Sequence, residues 1–136
     1  MNDNEYIFKE ECCKNFHYAW SILDELERTN CENHILKGAA YRMALIEYSK
    51  PYKQSYWKEN KGGWKLPDPN FLSEVFFDLH KQIIKSRDKF LAHADLDEKD
   101  PKLCKKYNVM SFNSMPSLPK LSEFKQLLEK TIEHMN

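Results

Sequence analysis

The sequence predicts an all-α fold, an up-and-down bundle of four to five helices built as a single domain over residues 1–136. Three observations predict it. Three glycines and six prolines are too few for a turn-dense β fold. Apolar residues recur three and four apart in four separate segments, which is the period of an amphipathic helix. Only a short turn separates the first two segments, so they fold back as antiparallel neighbours. A chain of this length forms one domain and buries roughly two-thirds of its unfolded surface, enough to need no disulfide or metal staple.

The first helix is expected from about Asn4 to Arg28. Cys12, Phe16, Ala19, Leu23 and Leu26 share a stripe with Trp20 beside it, and Thr29-Asn30 marks the stop. The second is expected from about Glu32 to Ser49, with Ile35, Leu36, Ala39, Ala40, Met43 and Ile46 as its apolar side. Gly38, Ala39 and Ala40 would let another helix approach closely, and Pro51 ends the helix near Lys50. Residues 50–69 are polar and aromatic with Gly62-Gly63 inside; the first half is open to extending the helix past Pro51, and the rest reads as a loop. The third helix is expected to start at Pro69 with Asp68 as its cap and to run to about Ala92, with Leu72, Val75, Phe76, Leu79, Ile83 and Phe90 facing the core. A long connection with Pro101, Pro116 and Pro119 follows. The last helix is expected from about Leu121 to Met135, lined by Leu121, Phe124, Leu128, Thr131 and Met135 with Leu127 and Ile132 flanking.

Basic and acidic residues balance at 21 each, so there is no global basic field to hold nucleic acid non-specifically. Any such site has to be local or formed between two copies. The acidic start lacks the apolar core of a signal peptide, and no window holds enough uninterrupted apolar residues to span a membrane, so a cytoplasmic protein without membrane contact is expected. Cys12, Cys13, Cys31 and Cys104 form no C-x-x-C and read as free thiols of a reducing compartment. Phosphate-binding, dinucleotide, zinc-protease and serine-hydrolase motifs are all missing. Nothing calls for a metal or a cofactor.

One stretch stands apart, Ser86-Arg87-Asp88-Lys89-Phe90-Leu91-Ala92-His93-Ala94-Asp95. The chain has only three arginines. On the helical wheel Arg87 lies on one flank of the apolar stripe, with His80 below it two turns earlier and His93 on the other flank. A guanidinium stays charged, so one that borders a packing surface needs an anionic partner. A long amphipathic helix ending in Arg87-Asp88 and, after four more residues, His93 resembles the HEPN superfamily of helical nucleotide-binding domains, most closely its abortive-infection branch. The likeness is loose over about residues 5–135 and sharp over 69–97. Arg28 and His34 repeat the spacing, but across a helix end.

The resemblance implies a metal-independent endoribonuclease, a toxin or phage-defence effector with an antitoxin protein as partner. The 2′-hydroxyl of RNA would attack its own phosphate and leave a 2′,3′-cyclic end. Arg87 would stabilise phosphate charge, His93 would move a proton, and Asp88 would orient one of them. The helix C-terminus with Asp95 and Asp97 nearby favours the imidazolium of His93. Six residues advance about 600°, leaving Arg87 and His93 about 120° apart on one helix, so the resemblance places both pairs in the cleft of a homodimer. His80, Lys105 and Lys106 are candidate RNA contacts.

Each residue also has a plainer reading. Arg87 pairs with a carboxylate such as Glu47, His93 caps its own helix, and His80 is a bundle histidine. Asp88 is an exposed charge. Lys81, Lys85 and Lys89 form a solvated stripe. Tyr52, Tyr56, Trp57 and Trp64 either stack on bases or fold their loop onto the bundle. With the same fold, the chain is alternatively a non-catalytic nucleotide- or protein-binding module, or an unrelated bundle in which the motif is incidental.

Overall fold

The computed structural model describes residues 2–53, 63–91, 102–104, 109–111 and 119–136, with the backbone alone at 90, 91 and both strands. Among these residues the architecture is an all-α bundle of four helices, with one 3-10 turn and one short two-stranded ribbon.

Helix α1 spans Asp3–Thr29, 27 residues or about 40 Å. The Asn2 side chain caps it by accepting from the Glu5 amide at 2.9 Å, and Asp3 and Glu5 lie in the first turn, where the helix dipole favours them. Asn30 stops it in the left-handed conformation, φ 48°, which Asn tolerates better than most residues. Its buried face is Cys12, Phe16, Ala19, Leu23 and Leu26, the stripe the spacing predicts. Asn33 then caps α2 (His34–Ser49), its side-chain oxygen accepting from the Ile35 and Leu36 amides at 3.1 Å. Pro51 cannot continue α2, and the chain tightens into the 3-10 turn Lys50–Tyr52.

The core side of α2 is not the expected one. Tyr41, Ala44, Leu45 and Tyr48 are buried, while Ile35, Leu36, Ala39 and Met43 are exposed. Apolar residues occupy both sides of this helix, so spacing alone offers two faces. The face with two large rings brings more apolar area, and both hydroxyls find partners inside: Tyr41 donates to the Pro119 carbonyl, and Tyr48 bonds His80. A Cβ added at Gly38 would meet nothing within 4 Å, so no close approach depends on that glycine.

Helix α3 covers Glu74–Leu91 and starts later than Pro69. Residues 69–73 form a turn in which the Leu72 amide donates to the Pro69 carbonyl at 3.1 Å. The Ser73 carbonyl takes the first helical bond, from Phe77, at 2.8 Å. The fixed φ of proline suits a turn as well as a first helical position, and Ser73 is the better cap. Leu79 and Ile83 are buried as expected, Val75 is exposed, and Ser86 joins the buried face. The long connection holds β1 (Lys102–Cys104) and β2 (Val109–Ser111), antiparallel with Leu103 opposite Met110. Helix α4 spans Leu121–Met135, as the spacing predicts, with Leu127 as central as Phe124, Leu128 and Thr131.

The helix α1 packs against α2 and α4, and α3 closes the bundle against the same two. The ring of Tyr48 sits at the centre, 5.7 Å from Phe16 and 5.6 Å from Phe124 between centroids. Lys125 of α4 ties to Asp24 of α1 at 2.9 Å. Cys12, Cys13 and Cys31 are free thiols. No helix among the described residues is long and apolar enough to cross a membrane.

Candidate functional site

Because α2 is shorter than α1 and ends at Ser49, just before Pro51, the N-terminal part of α1 runs on past the end of α2. The chain after the 3-10 turn and the last turns of α3 partly close this gap. They leave an open cleft of about 580 Å³. Phe8, Glu11, Cys12 and Asn15 of α1 line one side, Lys50, Pro51 and Lys53 another, and Trp64 and Arg87 complete it. Three cations thus meet a single carboxylate, Glu11, among the lining residues.

Arg87 reaches the cleft from the flank of the buried face of α3, with its side chain 23% exposed. Its Nη1 donates to Asp88 Oδ1 at 3.0 Å, and Asp88 Oδ2 accepts from Lys53 Nζ at 2.8 Å. Asp88 therefore bridges the two cations. Partial burial pushes the Asp88 carboxyl up, but hydrogen bonds from Lys53 and Arg87 outweigh it and hold the carboxyl below the usual range. The buried Nε of Arg87 has no hydrogen-bond partner among the described residues. A buried unpaired donor costs about 1–3 kcal/mol, so this guanidinium is not fully satisfied by the fold. Glu47, the carboxylate considered for Arg87, instead holds Lys50 at 2.7 Å.

The chain matches no family model, no curated protein and no solved structure.

Of the other sequence-derived candidates, His80 is 4% exposed and is absent from the cleft lining. Its Nδ1 bonds the Tyr48 hydroxyl at 2.8 Å, and Tyr52 stands edge-on with centroids 4.6 Å away. Burial lowers its pKa to about 4, so it is neutral at pH 7 and is a core hydrogen-bond partner of Tyr48. His93, Lys105, Lys106, Tyr56 and Trp57 lie outside the described residues. Lys81 and Lys85 are exposed, and Lys81 pairs with Asp78 at 3.3 Å, whereas Lys89, the third lysine of the expected solvated stripe, is half-buried. Tyr52 packs on Tyr48 and Phe16, and Trp64 on Phe8 at 5.5 Å, so these two aromatics pack onto the bundle.

The residues missed from the sequence are Lys50, Lys53, Asn15 and Phe8. Lys50 and Lys53 had a signal, two cations bracketing Pro51 at the end of a helix. Asn15 and Phe8 had none, because only packing decides which turns of α1 remain uncovered. Chemically, the cleft offers a planar fork and two ammonium groups for an anion, an amide at Asn15, and an aromatic pair, Phe8 and Trp64. Cys12 is not a nucleophile, since burial pushes its thiol up to about 12. Among the described residues no group of three His, Cys, Asp or Glu side chains could hold a metal ion.

Proposed function

We propose that this chain binds RNA through the Arg87 cleft and cleaves it as a HEPN-type endoribonuclease working as a homodimer. The observation that supports this reading is the state of Arg87. Its guanidinium is only partly exposed, its neighbour Asp88 is the one carboxylate bonded to it among the described residues, and Lys50 and Lys53 stand beside it. A backbone phosphate suits such a fork, because it carries the opposite charge and can offer two oxygens to parallel N–H donors. In the proposed reaction the RNA 2′-hydroxyl loses its proton and attacks the adjacent phosphorus. The bond to the 5′-oxygen breaks, that oxygen takes up a proton, and a 2′,3′-cyclic phosphate remains. Arg87 stabilises the charge that builds on the phosphate, Asp88 fixes the plane of the guanidinium, and His93 moves a proton. A toxin or phage-defence setting with an antitoxin partner follows from the family resemblance alone.

The test is cleavage of several RNAs by purified protein in EDTA, with RNA binding followed in parallel by fluorescence anisotropy. Arg87→Ala is expected to lower the cleavage rate about 10²–10³-fold, and Arg87→Lys not to restore it, because an ammonium lacks the fork. His93→Ala is expected to abolish cleavage and spare binding. A second reading has its own support: the whole chain is charge-balanced, and the one described histidine on α3 is neutral and in the core. It predicts binding that Arg87→Ala weakens, with no cleavage from any variant.

A further inference from the structure

Among the described residues the outer face of α2 is left open. Three of the eight large apolar side chains exposed among these residues, Ile35 (83%), Leu36 (62%) and Met43 (42%), lie together on this side of α2. Ala39 between them is exposed, and Ile46 is half-buried. Single exposed apolar residues are ordinary, but a contiguous stripe along one helix is an association surface. Leu36, Ala39, Met43 and Ile46 are spaced three, four and three apart, the seam spacing of paired helices. Glu32 lies just before the helix and Lys50 just after it, and both are exposed.

We infer that this face pairs with the same face of a second copy, with the two α2 helices antiparallel about a two-fold axis level with Tyr41. The order of residues selects both the occupant and the direction. Antiparallel pairing sets Leu36 of one copy against Ile46 of the other, and Met43 against the small Ala39, so large side chains fill the space left by small ones. It also sets Glu32 of one copy against Lys50 of the other at both ends, and opposes the two helix dipoles. Parallel pairing would stack Met43 on Met43, Ala39 on Ala39, and like charges at each end. The stripe is short, and its interface falls below the roughly 800 Å² per partner of a standard complex, so the dimer is concentration-dependent. The two Lys50 residues lie about 27 Å apart along the helix axis in this arrangement. Each copy then keeps its own Arg87 cleft at an opposite end, so this contact is distinct from the shared dimer cleft of the proposed ribonuclease. The inference does not depend on RNA binding.

Sedimentation velocity on the full chain, from low micromolar to near-millimolar concentration, tests it. The expected result is a monomer–dimer equilibrium that Leu36→Glu with Met43→Glu abolishes. Those side chains are exposed, so the variant should keep its helical signal and melting temperature. Glu32→Lys sets like charges together at both ends, and is expected to weaken association several-fold at low salt and less at high salt. A wild type that stays monomeric throughout, or a dimer that survives the double glutamate variant, overturns the interface. A dimer indifferent to Glu32→Lys overturns the antiparallel register.

Discussion

Two charged or titratable side chains on α3, seven residues apart, meet opposite fates. His80 is sealed among Tyr48, Tyr52 and Phe77, and burial, only partly offset by Asp68, depresses it to about 4. Its unfolded value is about 6.5, so between those two values the unfolded chain holds a proton that the folded chain does not. Stability therefore rises with pH across that window: it is complete above about 6.5 and drains away as pH falls toward 4, by about 3 kcal/mol in all. Urea melts across this range should show that slope for the wild type and a flatter one for His80→Gln, which keeps an acceptor for the Tyr48 hydroxyl. Arg87 lines the cleft, and its buried Nε has no hydrogen-bond partner among the described residues. Arg87→Ala should weaken RNA binding while changing thermal stability little, because among the described residues the carboxylate bonded to the guanidinium is its own neighbour on α3, Asp88. Loss of fold in that variant would make Arg87 structural. The motif containing Arg87 was legible in the sequence, and so was its flank position. That His80 turns inward to a tyrosine was not, since a helical wheel places a residue on a face without saying what stands opposite.

At the scale of elements, α1 and α4 were read from spacing almost residue for residue, because each has a single apolar stripe between clear stop signals. Helix α2 was misjudged for the reason that makes it informative. It has two apolar faces, and the bundle buries the one with the rings. Its start depends on Asn33, whose side chain accepts two orphan amides, and Asn33→Ala should cost about 1 kcal/mol in a thermal melt. Gly38 lies in mid-helix with empty space where a Cβ would be. Gly38→Ala should therefore raise stability by about 0.5–1 kcal/mol, by restricting the unfolded chain and filling no occupied space. A lower melting temperature would show a neighbour that the geometry does not. The start of α3 was misplaced by five residues, from Pro69 to Glu74, because proline and an acidic neighbour open a turn as readily as a helix.

At the scale of the whole molecule, the candidate site depends on where one helix outlasts another. The cleft forms where α2 has ended at Ser49, just before Pro51, while α1 runs on beside it, which brings Lys50, Lys53, Asn15 and Arg87 around one space of about 580 Å³. If that space takes a phosphate, binding should weaken steeply with added salt, and Lys53→Ala should lower both affinity and the salt slope, by about one counterion. Affinity independent of salt would point to an uncharged ligand. By itself the sequence determined the class of fold, the buried stripes of α1 and α4, and the Arg87 motif, because periodicity and caps are properties of a single segment. The tertiary structure decided which face of α2 is core, that His80 is silent at pH 7, and that Lys53 and Asp88 complete the surroundings of Arg87. Those outcomes depend on competition between surfaces for burial and on residues brought together from 35 positions apart, which no local pattern encodes.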